Sequence, residues 1–151
     1  NKSRLVAGHF DWVHTVDRPK LAERLSDQRP AHLPPLQVCI QVNVDGGSTK
    51  SGVAPEHALQ LARAVAQLPR LCLRGVMSIP DAAPDAAAQL AVHLRVRQVF
   101  DALRAQGGAG FESFDTLSLG MTGDLEAAIA AGSTLVRVGS GIFGARHYAA
   151  C

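Results

Sequence analysis

The strongest constraint on the fold is a regular alternation of two kinds of apolar segment along the chain. Short segments rich in β-forming residues, such as 11–16, 36–44 and 71–77, are each followed by a longer segment with apolar residues at helical spacing. Turns rich in Pro and Gly separate the segments. This order favours right-handed βαβ units, a parallel sheet and ligand binding where the strands end.

The alternation predicts about five strand–helix units. The predicted strands are 11–16, 36–44, 71–77, 116–119 and 135–138, and the predicted helices are 18–28, 55–68, 85–106 and 122–131, with a helical turn within 139–144. An open doubly wound sheet and part of a (β/α)8 barrel both fit this order. Five units do not close an eight-stranded barrel, and Asn1 opens directly on a helical segment. We therefore expect a piece of a barrel whose N-terminal strands are missing.

Composition narrows the class of protein. The 151 residues are 47% hydrophobic, 19% charged and 5% aromatic, with a net charge of +2. These values predict one globular domain over 1–151 and exclude a disordered chain. No apolar run approaches the ~18–20 residues of a membrane helix, and the basic residues form no block. We expect neither a membrane nor a nucleic-acid partner.

The cysteines and histidines do not suggest a metal site. Cys39, Cys72 and Cys151 are odd in number and form no CxxC motif, which argues against a disulfide framework and a zinc knuckle. The six histidines show no HxH, HxxH or HExxH spacing. We therefore expect no metal, core or surface roles for the histidines, and a reduced, cytoplasmic setting.

The turn from Ser118 to Asp124 is a candidate phosphate site. A predicted strand ends at Ser118 and a helix begins near Thr122, so backbone N–H groups, Gly residues and hydroxyls meet at a helix N-terminus. The alternative is ordinary capping, with Thr122 as N-cap and the carboxylates of Asp124 and Glu126 favoured by the helix dipole. Those carboxylates would repel an anion if they pointed inward.

The turn from Gly139 to Gly144 is the second candidate. It is a literal GxGxxG after a predicted strand, but a dinucleotide fingerprint needs a second strand and an acid about 20 residues on. Seven residues follow Gly144, which is too few. A smaller phosphate cradle remains, because Gly139 and Ser140 offer N–H groups and a hydroxyl with no acid nearby. Arg137 leads into this turn from an apolar segment, either as a buried ion pair or as a donor to a ligand.

Several other chemistries lack candidates. The three lysines are Lys2, Lys20 and Lys50, and none lies in an apolar strand, where burial would lower its pKa for Schiff-base chemistry. Lys50 lies in a polar loop predicted to be mobile. The chain has no GxSxG motif and no cysteine with an orienting base. We predict no catalytic residue.

Taken together, these motifs resemble the YggS/PROSC family of pyridoxal phosphate homeostasis proteins, over essentially all 151 residues. The motifs are Asn1-Lys2-x-x-x-Leu5, Ser51-Gly52, Gly75-Val76-Met77-Ser78-Ile79-Pro80, Ser118-Leu119-Gly120-Met121-Thr122-Gly123-Asp124 and Arg137-Val138-Gly139-Ser140-Gly141-Ile142-Phe143-Gly144-Ala145-Arg146-x-Tyr148. The resemblance implies a single domain like the N-terminal barrel of alanine racemase, here its last five or so β/α units. It also implies a pyridoxal 5′-phosphate (PLP) site without established turnover, which buffers the cofactor or delivers it to PLP-dependent apo-enzymes. We expect the chain to be a monomer.

The resemblance also assigns residues. Ser118, Met121 and Thr122 match the first phosphate-side loop, Gly139 and Ser140 match the second, and Arg137 matches the arginine that faces the pyridine nitrogen. The family often has threonine where Ser140 stands, and both offer a hydroxyl. Its Schiff-base lysine precedes the motif at which this chain begins, so no lysine here takes that role.

Two enzyme classes compete with the cofactor-binding function. A racemase-like enzyme on the same barrel is the first alternative, and it requires a second catalytic base, often supplied by another domain. A phosphate-sugar enzyme is the second, and it requires acid/base residues at strand ends, where Asn43, Met77 and Ser118 are poor candidates.

Overall fold

Four parallel strands in chain order form the sheet that positions the candidate site. The strands are β1 (Trp12–Val16), β2 (Leu36–Gln41), β3 (Leu71–Met77) and β4 (Thr116–Ser118), in the spatial order β1-β2-β3-β4. They are taken from a computed structural model that describes residues 2–47 and 50–145. Successive strands are neighbours without a change of direction, as in the wall of a barrel and unlike a doubly wound sheet.

Helices follow the strands in the predicted alternation. They are α1 (Lys2–His9), α2 (Pro19–Gln28), α3 (Pro55–Ala66), α4 (Ala86–Gln106), α5 (Leu125–Ala130) and α6 (Ser140–Phe143). Proline in the first turn begins α2 and α3, and the Asp85 side chain caps α4 by accepting from the Ala88 N–H. None of the described helices combines the length and the apolar character needed to cross a membrane.

The two faces of the sheet differ as the alternation in β2 predicts. Val38 and Ile40 belong to the core between sheet and helices. Gln37, Cys39 and Gln41 lie on the other face, which we call the inner face. Successive side chains of a strand point to opposite faces of the sheet, which places the even-numbered and odd-numbered residues of β2 on different faces. The inner face therefore carries polar groups toward the strand ends, where the candidate site lies.

A bulge in β3 keeps its apolar residues in the core. The β2–β3 register shifts by one residue, so that Val38 pairs with Leu73 and Cys39 pairs with Gly75. This shift lets Leu73 and Val76 both face the helices. The bulge requires glycine, because a Cβ on Gly75 would lie 1.7 Å from the Thr116 carbonyl oxygen.

The prediction of a fifth strand over 135–138 is wrong. Only Leu135 forms a bridge, with Ser118, and the Arg137 N–H donates to the Gly120 carbonyl. The Ser133 and Thr134 side chains replace part of the ladder, since their hydroxyls bond the backbone of residues 117–119. The segment nevertheless runs beside the end of β4 and brings Arg137 next to Ser118.

The predicted helix over 122–131 begins later than expected. Residues 121–124 form a turn, and α5 starts at Leu125 with Asp124 in the N-cap position. Thr122 is therefore not the N-cap, and its hydroxyl is available for other contacts. Asn1, Arg146, Tyr148 and Cys151 lie outside the described residues.

A buried arginine, Arg29, joins α1 to the segment before β2. Its guanidinium donates to the carbonyl oxygens of Ala7, Phe10 and Pro34 at 2.7–2.8 Å. Arg29 is 2% exposed, and its approach to the exposed Asp11 carboxylate is long at 3.7 Å. Three carbonyls thus satisfy most of the buried guanidinium.

Candidate anion-binding site

Arg137, which leads into the second turn, is bonded to the ends of β3 and β4. Its Nη1 donates to the Ser118 carbonyl oxygen at 3.1 Å and to Ser118 Oγ, and its Nη2 donates to the Ser78 carbonyl oxygen at 3.0 Å. No carboxylate of the described residues pairs with Arg137, so the interpretation as a structural ion pair is wrong. A guanidinium has five N–H donors, and three are used here. Two remain for a ligand.

His14 joins the site from β1. Its Nδ1 lies 3.0 Å from Ser118 Oγ, a contact between the first and last strands of the sheet. Burial, and secondarily the Arg137 charge, lower the pKa of His14, so the imidazole is neutral at pH 7. Because Arg137 can only donate to Ser118 Oγ, the Ser118 hydroxyl hydrogen is free to bond His14 Nδ1. The ring proton of His14 is then on Nε2.

Sequence reasoning missed His14. His14 has no spacing typical of a metal ligand, so the sequence predicts only a core or surface role for it. Its partner Ser118 lies in another strand, which no local pattern reveals. The available signal was a lone ionisable group inside a predicted strand, the same signal that singled out Arg137.

The two turns contact each other directly. The Gly141 N–H donates to Thr122 Oγ1 at 3.1 Å. Gly139 precedes the first residue of α6, Ser140, and within residues 2–47 and 50–145 the N–H groups of both have no hydrogen-bond acceptor. The second turn therefore offers two free backbone donors and the Ser140 side chain beside the first turn.

Met121, which the resemblance matches to the first phosphate-side loop, has its backbone N–H already bonded. Its N–H donates to Asp124 Oδ1 at 2.7 Å, and its side chain is 44% exposed. The other carboxylate oxygen, Asp124 Oδ2, lies 2.9 Å from His93 Nε2. Asp124 is thus bound through both oxygens.

Two side chains that could act as nucleophiles, Cys39 and Lys50, are protonated at neutral pH. Cys39 lies on the inner face, and burial, opposed by the Arg74 and Arg137 charges, raises its pKa to about 12. Lys50, expected in a mobile loop, lies 2.6 Å from an Asp81 oxygen and 3.3 Å from an Asp45 oxygen. The Asp81 hydrogen bond raises the Lys50 pKa and keeps the amine protonated. Neither group is therefore a nucleophile here.

Comparison with known proteins places this site in a family. The sequence model described as "Alanine racemase, N-terminal domain" matches residues 2–147. The chain belongs to the alanine racemase N-terminal domain family. This membership confirms the predicted fold, a (β/α)8 barrel of the alanine racemase type represented here by part of its units.

The resemblance to the homeostasis proteins is also confirmed. The chain is 54% identical over 148 residues to the pyridoxal phosphate homeostasis protein of Vibrio cholerae, and 53% identical to that of Escherichia coli K12. Each alignment covers 98% of this chain, but only 61% and 62% of the respective relatives. The chain thus spans about three-fifths of their length.

Two solved structures are similar to this chain, one with clear sequence identity and one in fold alone. PipY of Synechococcus elongatus, solved with PLP bound, is 33% identical with a TM-score of 0.83, covering 95% of this chain and 66% of PipY. Alanine racemase from Corynebacterium glutamicum is 19% identical with a TM-score of 0.59, covering 85% of this chain and 34% of the enzyme. The racemase likeness shows the fold alone.

Proposed function

We propose that this chain binds pyridoxal 5′-phosphate at the two joined turns and contributes to cofactor homeostasis. The observation that carries the proposal is the Arg137–Ser118 junction beside the free N–H groups of Gly139 and Ser140. The names of the 53–55% identical relatives and the PLP-bound PipY structure support PLP as the ligand.

The donor set fits both polar ends of that ligand. A phosphate dianion requires several converging donors, and the second turn supplies two N–H groups and the Ser140 hydroxyl without a carboxylate. A pyridine nitrogen is an acceptor, and Arg137 keeps two unused N–H donors. Ser118, Met121 and Thr122 form the facing turn. We therefore assign phosphate binding to the two turns and ring-nitrogen binding to Arg137.

We propose that binding occurs without catalytic turnover. When bound to enzymes, the cofactor supplies an electron sink that is strongest with a protonated ring nitrogen. Arg137 stays cationic and has no acceptor, so it disfavours a proton on that nitrogen. Lys50 is ion-paired with Asp81 and Asp45, and none of the contacts of the described residues joins a lysine to Arg137 or to the two turns, so binding at this site is noncovalent.

We further propose the cellular setting. The dispersed charge and the free thiols of Cys39 and Cys72 fit a monomeric single-domain barrel in the reducing cytoplasm. A noncovalent, non-catalytic site suits transfer of PLP to apo-enzymes. Analytical ultracentrifugation of the chain with and without PLP tests the oligomeric state, and a monomer is expected in both conditions.

Calorimetric titration with PLP tests the binding site. Ser140→Ala and Arg137→Ala are expected to weaken PLP binding at least tenfold, since each removes a donor to a charged or polar end of the ligand. Ser113→Ala and Arg104→Ala change exposed residues elsewhere and are expected to leave the affinity unchanged. Equal PLP affinity in all four variants would refute the site.

A second assay tests the absence of turnover. L-Alanine incubated with the chain and saturating PLP is expected to racemise no faster than with PLP alone. Racemisation that depends on the chain would favour the racemase-like alternative instead.

A further inference from the structure

The Asp124 carboxylate conflicts with an anion site on the turn after β4. It lies close enough to Arg137 that it opposes the lowering of the Arg137 pKa by burial. The same negative charge acts on any phosphate bound beside the turn, and like charges repel. A phosphate loop containing this carboxylate therefore needs a group that directs it away and disperses its charge.

His93 on α4 is placed to do this. Its Nε2 lies 2.9 Å from Asp124 Oδ2, on the far side of the carboxylate from the Met121 N–H. A carboxylate can only accept, so Nε2 carries the hydrogen. The two hydrogen bonds fix the orientation of Asp124 and, through Oδ1, the Met121 backbone.

The second ring nitrogen shows that this contact is not ordinary core packing. His93 is 1% exposed, and among the described residues its Nδ1 has no hydrogen-bond partner. The neighbouring inward residues of α4, Val96 and Phe100, are apolar. A hydrocarbon would fill this position without an unsatisfied nitrogen. The cost of the imidazole is explained by its contact with Asp124.

We propose that His93 is a positioning residue that holds the turn 121–124 in its phosphate-binding conformation and draws the Asp124 charge away from the ligand. The inference rests on the proposed function, because it assigns a role toward the phosphate of PLP. It makes phosphate recognition depend on a helix residue that touches no ligand.

Amide hydrogen exchange tests the hold on the turn without any ligand. In His93→Leu, the Met121 N–H is expected to exchange at least tenfold faster, because Asp124 loses one of its two anchors. His93→Gln keeps an N–H at the Nε2 position and is expected to restore slow exchange. His57→Leu, an exposed position on α3, is the matched control. Where His93→Leu does not fold, His93→Asn, whose shorter side chain places its N–H nearer the Nδ1 position than the Nε2 position, is expected to give the same fast exchange.

Selectivity between PLP and pyridoxal tests the role toward phosphate. His93→Leu is expected to weaken the binding of PLP about tenfold and the binding of pyridoxal less than twofold. A tenfold change in affinity corresponds to part of the free energy of one charge-assisted hydrogen bond. His93→Gln is expected to recover the PLP affinity. Equal weakening of both ligands, or none, would overturn the phosphate role.

The two measurements separate this inference from the proposed function. If the wild-type chain binds no PLP, the proposed function fails, and the phosphate role of His93 fails with it. Unchanged Met121 exchange in His93→Leu overturns the hold on the turn, whatever the ligand result.

Discussion

Replacing Arg29 by methionine should strongly destabilise the chain. The substitution keeps a long unbranched side chain but removes the donors to three carbonyl oxygens at 2.7–2.8 Å. Hydrogen bonds to a charged group contribute about 1.5–3 kcal/mol each. The lower value of this range applies, because water will bond some of the freed carbonyls. Three such hydrogen bonds then correspond to a loss of about 4 to 5 kcal/mol in the free energy of unfolding. That is roughly a quarter or more of a typical free energy of unfolding, about 5–15 kcal/mol.

Urea unfolding, followed by far-UV circular dichroism and the fluorescence of the single tryptophan, Trp12, measures the loss. With a slope of about 2 kcal/mol per molar urea, the Arg29→Met midpoint should fall by roughly 2 M. The control is Arg24→Met, which changes an exposed arginine on α2, the helix that ends just before Arg29, and should shift the free energy of unfolding by less than about 0.5 kcal/mol. A midpoint for Arg29→Met within 0.5 M of the wild type, equal to about 1 kcal/mol at that slope, would show that the three carbonyl contacts contribute little to stability.

Three further predictions concern the sheet, pH dependence and covalent binding. Gly75→Ala should lower the free energy of unfolding by about 3 kcal/mol or more, because the new Cβ would overlap the Thr116 carbonyl oxygen. Gly8→Ala, where the new Cβ meets open space, should instead stabilise α1, and thermal melting of both variants measures the difference. Because the folded-state pKa of His14 is lowered, the unfolded chain takes up that proton first, and stability should fall as pH drops below about 6.5. His14→Asn, which keeps an acceptor for Ser118, should lessen this fall in urea titrations between pH 7.5 and 5.5, and an identical fall would contradict the assignment. PLP added to the chain should give no Lys50-dependent, borohydride-reducible imine band near about 420 nm, because the Lys50 amine is held protonated by Asp81, and a band that is lost in Lys50→Ala would show the opposite.

Local patterns predicted the parts of the fold that local physics determines. The alternation in β2 assigned both faces of the sheet, because side chains of a strand alternate whatever the neighbours are. The 135–138 segment is also rich in apolar residues, yet the hydroxyls of Ser133 and Thr134 take the place of part of its ladder with β4. Propensity alone does not reveal that competition.

The candidate site was predicted only in part for a related reason. The turns of Ser118 and Gly139 have local signatures in glycines and hydroxyls, and the structure brings them together through Thr122 and Gly141. His14 and His93 have no such signature, since each acts through a contact with a distant element. Helix and strand patterns carry no information on those pairings.

The His14–Ser118 hydrogen bond has a consequence for folding kinetics. It joins residues 104 apart in the chain, whereas each helix and neighbouring strand pair closes a much shorter loop. Closing a long loop before the intervening units are ordered is entropically unfavourable. The first and last strands should therefore meet late in refolding, and the ability to bind a ligand should appear after most of the secondary structure has formed.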